Sequence, residues 1–264
     1  MDVQCPPFSP PGLLARSLWR AVVWVASVGV LLATGLAWLA RLGLGSALLS
    51  WGLALLWFGA GVLLVRHGLR TGAHPHARFG AANGVTLLRL ALASVLVGLI
   101  GQADWAPPWA SPGTGALAWA AVVLATVTAL LDALDGVLAR RSGLASAFGA
   151  RFDMEADAAF ILVLCAGVWL AGQAGPWVLA AGLMRYAFVA AAGVWPWLAA
   201  PLAPSWRRQT VCVVQITSLI VCLVPIVTPA VASAVAACSL GLLGLSFAID
   251  IRTLARKRSS TREP

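Results

Sequence analysis

Long apolar runs broken by short polar segments set the pattern of this chain. Eight of them recur, near residues 18–40, 43–65, 84–101, 116–139, 153–173, 177–200, 210–228 and 231–251. Each approaches the roughly 20 residues that a helix rising 1.5 Å per residue needs to cross about 30 Å of hydrocarbon. Period-two alternation and the ten-residue dyad spacing of outer-membrane strands are both absent. The pattern predicts an all-α fold, a polytopic transmembrane helical bundle, and excludes a β-barrel. Arg16 and Arg20 precede the first run, but it has the length of a full span and no small-x-small cleavage site before Arg41. It therefore reads as a helix rather than a leader.

The connections differ on the two sides. Those expected to face outward are short and rich in turn formers, at 106–115, 172–175 and 228–230, with tryptophans such as Trp105, Trp109 and Trp119 at the bilayer edge. Those expected inside are more polar. One of them, 66–83, separates two N-terminal helices from a six-helix remainder. The expected organisation is a two-helix membrane extension with a basic linker over 1–79, a six-helix domain over 80–258 and a tail over 259–264. His67, His74 and His76 lie in the linker without a carboxylate or cysteine at ligand spacing, so a solvated loop is favoured over a metal clip.

Composition agrees with a membrane bundle. Of 264 residues 61% are hydrophobic and only 10% charged, with a mean hydropathy of +0.90, too apolar for an ordinary soluble domain. With eight crossings and both termini cytoplasmic, fifteen basic residues fall inside, Arg41 falls outside, and Arg89 and Arg185 lie within spans. That is a strong positive-inside bias. The net charge of +9 then reflects topology and attraction to anionic lipid headgroups, and no nucleic-acid partner is expected. A multi-pass protein of the bacterial inner membrane is the expected location. The five cysteines show no CxxC spacing and read as small apolar residues.

Against this background, residues 132–157 hold five of the nine acidic residues. Asp132 and Asp135 are three apart, Asp153 and Asp157 four apart, so each pair projects from one helix face. The short intervening segment makes the two helices antiparallel neighbours, and four carboxylates can meet. Asp132 and Asp135 lie about 12 and 8 Å from Arg140 along the helix, which places the pocket just inside the cytoplasmic surface. An aspartate at mid-helix in lipid costs about 2.5–3.5 kcal/mol on insertion scales, so four unpaired ones cost roughly 10 kcal/mol or more. Salt bridges to Arg140, Arg141 and Arg151 would offset this, but bridging alone does not call for four converging carboxylates. Hard oxygen donors without His or Cys suit Mg²⁺ or Mn²⁺, and two such ions can polarise a diphosphate. That chemistry belongs to a transferase acting on a pyrophosphate-linked lipid.

The spacing D-x2-D-G-x2-A-R-x8-G-x3-D-x3-D is met by Asp132, Asp135, Gly136, Ala139, Arg140, Gly149, Asp153 and Asp157. It resembles the signature of the CDP-alcohol phosphatidyltransferase family. That family tends to open its first core helix with N-x-x-T-x-x-R, matched by Asn83, Thr86 and Arg89. The resemblance covers about residues 80–258. It implies a six-helix core, here preceded by two extra helices, and transfer of a phosphate-linked group from a CDP-linked donor to an alcohol, with release of CMP. By matching positions it implies that Asp132, Asp135 and Asp153 ligate metal, while Asp157 takes the proton of the attacking hydroxyl and also touches metal. It further implies that Asp132, Gly136, Ala139, Arg140 and Gly149, with Asn83 and Thr86, line the nucleotide. The expected cofactor is Mg²⁺ or Mn²⁺, as two ions. The expected partners are CDP-diacylglycerol and a small polar alcohol or alcohol phosphate within membrane lipid, and a homodimer is a possible assembly.

The acceptor side is less specified. Arg151, Arg185, Arg207 and Arg208 are the candidates for an anionic acceptor, although topology alone accounts for Arg207 and Arg208. For Arg185, pairing with a pocket carboxylate or snorkelling stays equally open. Glu155 points away from both flanking aspartates and reads as support rather than ligand. Met154 and Ala158 stand where many glycerol-phosphate-using members carry Pro and Lys, which leaves the acceptor undetermined. An intramembrane prenyltransferase is the alternative enzyme, and a cation-coupled transporter the alternative outside enzymes.

Overall fold

The computed structural model describes residues 11–39, 44–70, 76, 78–100, 115–142, 146–203 and 205–260, without the side chains of 11–12, 36–39, 44–47, 115–116, 133–142 and 258–260. Eight α-helices follow one another with no strand among the described residues. They are α1 (Pro11–Leu39), α2 (Leu44–Arg70), α3 (Ala81–Ile100), α4 (Gly115–Ser142), α5 (Ala147–Leu170), α6 (Leu179–Val194), α7 (Trp206–Leu223) and α8 (Pro229–Ser260). Two short 3-10 turns, Pro176–Val178 and Pro196–Ala199, flank α6.

Each expected apolar run falls largely on a helix among the described residues, and the protein is a polytopic helical bundle. Five described segments are long and apolar enough to cross a membrane: Leu13–Gly35, Leu48–Arg70, Ala81–Ile100, Pro176–Val194 and Pro229–Lys257. The helices outside this set are α4, α5 and α7. Acidic residues interrupt α5 where the motif falls, Arg207 and Arg208 open α7, and the described side chains of α4 cover only 117–132. The described side chains of α4 form the apolar stretch Leu117–Asp132.

The chain forms two compact units, Met1–Gly98 with Val127–Ala156, and Leu99–Thr126 with Asp157–Pro264. In the first unit, Leu18, Val22 and Val25 of α1, Phe58 and Val65 of α2, and Leu87, Leu90 and Ala91 of α3 close around Phe79, Phe148 and Phe152. The Phe148 and Phe152 rings stack at 5.9 Å, and Phe79 meets them at 6.5 and 6.4 Å. Ser17 on α1 accepts the Phe79 N–H at 3.0 Å, tying the entry to α3 onto the N-terminal helices. In the second unit, α7 packs along α8, and Phe188 meets Phe247 edge-on at 5.7 Å. Gly182 lets α6 approach α5 so closely that a Cβ there would stand 2.6 Å from the Leu162 Cα.

Candidate active site

The site is built by three helix segments. α5 starts where Ser146 accepts the Gly149 N–H on its Oγ at 3.0 Å, a side-chain cap on a donor of the first turn. From that start, Asp153 and Asp157 fall one turn apart on the same face of one continuous helix. α4 supplies Asp132. One carboxylate oxygen from each of Asp132, Asp153 and Asp157 lies within 4.8 Å of the others, and all three residues are half-buried. The acidic faces of α4 and α5 thus converge as their spacing requires.

Asp135, Gly136, Ala139 and Arg140 continue α4 as helix, but their side chains lie outside the described residues. Gly149 and Asn83 come together. A Cβ at Gly149 would stand 2.8 Å from Asn83 Oδ1. The Asn83 amide donates from Nδ2 to the Phe79 carbonyl, and Thr86 donates to the Ala82 carbonyl at 3.2 Å. Both residues are buried.

Among the described residues, Arg89, from the middle of α3, is a cation that meets the aspartates. Its Nη1 donates to Asp132 Oδ1 at 2.9 Å and to Asp153 Oδ1 at 2.7 Å, and its side chain is 2% exposed. Salt bridges to Arg140, Arg141 and Arg151 are the disfavoured alternative to a metal pocket. Of these, Arg151 is exposed, while the side chains of Arg140 and Arg141 are outside the described residues. Charge gives only a partial signal: a cation inside a span requires an anion and the motif holds most of the acids within spans, but this applies to Arg185 as well as Arg89.

Asp157 has a thiol neighbour, with Cys212 Sγ of α7 4.0 Å from its Oδ2. Among the acceptor candidates, Arg185 is half-buried on α6. Arg207 and Arg208 both reach Asp250 of α8. Arg207 donates from Nη2 at 2.5 Å and also to the Ser246 carbonyl at 2.7 Å, and Arg208 donates from Nη1 at 3.3 Å. A second Arg208 donor holds the Ala203 carbonyl. Glu155 and Met154 are exposed on α5.

The donor set fits a divalent cation. It is three carboxylates without nitrogen or sulfur, and its span is close to the roughly 4.2 Å separating opposite ligands around Mg²⁺ at 2.0–2.1 Å each.

A helical bundle with five segments able to cross a membrane is a multi-pass membrane protein, and its acidic cluster could hold a metal ion. Residues 79–245 match the family model described as CDP-alcohol phosphatidyltransferase, and the chain belongs to that family. It is accordingly a phosphatidyl-transferring enzyme class that takes its group from a CDP-alcohol. No curated protein and no solved structure matches the chain.

Proposed function

We propose that this protein transfers the phosphatidyl group of CDP-diacylglycerol to a small polar alcohol or alcohol phosphate and releases CMP. The observation that carries the reading is the convergence of Asp132, Asp153 and Asp157 on one point. Asp132, Asp135 and Asp153, together with Asp157, would hold Mg²⁺ or Mn²⁺, as two ions. When bound, the metal offsets the negative charge of the diphosphate and of the departing CMP.

The chain's own residues divide the remaining work. Asp157 accepts the proton of the acceptor hydroxyl as its oxygen attacks the phosphorus bearing the diacylglycerol. The new P–O bond forms while the bond to the CMP oxygen breaks, and CMP leaves with that electron pair. Gly136, Ala139, Arg140 and Gly149 take the nucleotide side, where Arg140 adds charge-assisted hydrogen bonds to phosphate. Asn83 and Thr86 support that side from α3. Arg151, Arg185, Arg207 and Arg208 form the acceptor side, with Asp250 holding the last two in place.

The positive-inside distribution of Arg and Lys supports cytoplasmic termini and a site near the cytoplasmic face, and the location we propose is a bacterial inner membrane. In that arrangement the donor's acyl chains stay in lipid while its nucleotide reaches a polar pocket. The catalytic domain is proposed to run over residues 80–258 after the extension 1–79, with a tail over 259–264, and a homodimer as its assembly.

The test is CMP release by purified protein from CDP-diacylglycerol, against glycerol 3-phosphate, inositol, inositol phosphate, serine, choline and phosphatidylglycerol in turn. Release is expected with one acceptor, stopped by a chelator and restored by Mg²⁺ or Mn²⁺. Release that persists after chelation contradicts the metal reading, and release from a prenyl diphosphate in place of CDP-diacylglycerol contradicts the donor.

A further inference from the structure

Arg89 makes the acidic cluster more than a plain carboxylate pocket. One nitrogen, Nη1, sits 2.9 Å from Asp132 Oδ1 and 2.7 Å from Asp153 Oδ1. These carboxylates are two of the three that converge within 4.8 Å. The guanidinium is almost wholly buried, at 2% exposure. It stays protonated in proteins, so it is a permanent positive charge laid on two carboxylates that a divalent cation would use. Carboxylates this close repel one another, and a neighbouring cation relieves that repulsion. The Arg89 side chain and a metal ion therefore do the same electrostatic work at the same place, and each makes the other less favourable.

We infer that Arg89 is the resident counter-ion of the metal pocket. It holds Asp132 and Asp153 together when no divalent cation is bound, and it weakens metal binding by occupying their oxygens. The inference rests on the reading of the aspartates as metal ligands. It makes Arg89 a positioning residue that acts through the carboxylates, and it fixes the sign of the effect. A side chain that merely preshaped the ligands would weaken metal binding when removed. A counter-ion strengthens it when removed, because the empty pocket loses its compensation and the filled one loses a repulsion.

The experiment measures Mn²⁺ binding to the full-length protein in detergent, by the electron paramagnetic resonance signal of free Mn²⁺, for wild type, Arg89→Gln and Arg89→Lys. Thermal midpoints are taken in chelator and in saturating Mn²⁺. Unit charges a few ångströms apart at an effective dielectric near 20 interact strongly enough to move affinity by about tenfold or more. Arg89→Gln is therefore expected to bind Mn²⁺ about tenfold tighter than wild type, with a midpoint that falls in chelator and recovers in Mn²⁺. Arg89→Lys keeps the charge and is expected to stay within about threefold of wild type.

Unchanged or weaker Mn²⁺ binding by Arg89→Gln overturns the inference, as does a lysine variant that shifts as far as the glutamine one. Arg89→Gln protein that folds only when Mn²⁺ is present supports it. Protein that fails to fold even in saturating Mn²⁺ overturns it, since the metal should replace the lost charge. Wild-type protein that binds no Mn²⁺ overturns the metal reading itself.

Discussion

Gly149 on α5 faces Asn83 on α3 so closely that a Cβ at position 149 would stand 2.8 Å from Asn83 Oδ1. The amide is already committed to the Phe79 carbonyl and is buried, so it has little room to turn aside. A methyl group at Gly149 would push α5 away from α3, and these helices carry Asp153 and Arg89. Gly149→Ala is expected to cost about 1–3 kcal/mol of stability, the usual range for overpacking. Misplacing a reacting group by about 1 Å can cost roughly a hundredfold in rate, so CMP release should fall by at least about tenfold. Thermal unfolding and CMP release measure the two effects.

The two N-terminal helices lie outside the family-matched residues, yet they complete the core beneath the site. Phe79 is 2% exposed and shares that core with Phe148 and Phe152 at the start of α5. Phe79→Ala should destabilise the protein by about 3–5 kcal/mol, as expected for a buried aromatic. Deleting residues 1–77 keeps the whole matched region but strips Leu18, Val22, Val25, Phe58 and Val65 from the cluster. The shortened protein is expected to show no CMP release and to aggregate on size-exclusion chromatography. Full activity would make the extension a simple anchor.

Asp250 binds two arginines of α7, and its own side chain is only 11% exposed. Asp250→Ala leaves Arg207 and Arg208 without this carboxylate, and about 1–3 kcal/mol of stability should be lost. A double-mutant cycle of Asp250→Ala with Arg207→Ala should show coupling of about 0.5–3 kcal/mol. Additive losses would mean that the contact contributes nothing of its own.

Gln215 on α7 is 1% exposed, and neither atom of its amide has a hydrogen-bond partner among the described residues. A buried amide in that state costs about 1–3 kcal/mol. Gln215→Leu is therefore expected to raise the thermal midpoint. A lowered midpoint would show that the amide is satisfied in the membrane.

Much of this architecture is legible in the residue pattern, because apolar length reports directly on where lipid is. The helix ends are less so. The apolar run expected at 153–173 belongs to a helix that starts at Ala147, where Ser146 caps an apolar first turn that Arg151 separates from the longer run. The last helix likewise runs past 251 to Ser260, carried by charged residues that leave the apolar stretch while keeping helical geometry.

Within the site, the convergence of Asp132, Asp153 and Asp157 follows from spacing alone, because i, i+4 residues share a face and a short connection forces antiparallel neighbours. The partnership of Arg89 with these aspartates does not. It depends on which face of α3 turns toward α4 and α5, a matter of packing between segments more than forty residues apart in sequence. The role of Phe79 as the meeting point of α1, α2, α3 and α5 is hidden for the same reason.

The assignment of Asp157 as the base is tested most directly by turnover of Asp157→Asn. CMP release should be followed with CDP-diacylglycerol, metal and the cognate acceptor, with Mn²⁺ binding measured on the same sample. General bases contribute about 10²–10⁴-fold, so release is expected to fall at least about a hundredfold while Mn²⁺ still binds through Asp132 and Asp153. Turnover within about twofold of wild type would contradict the assignment.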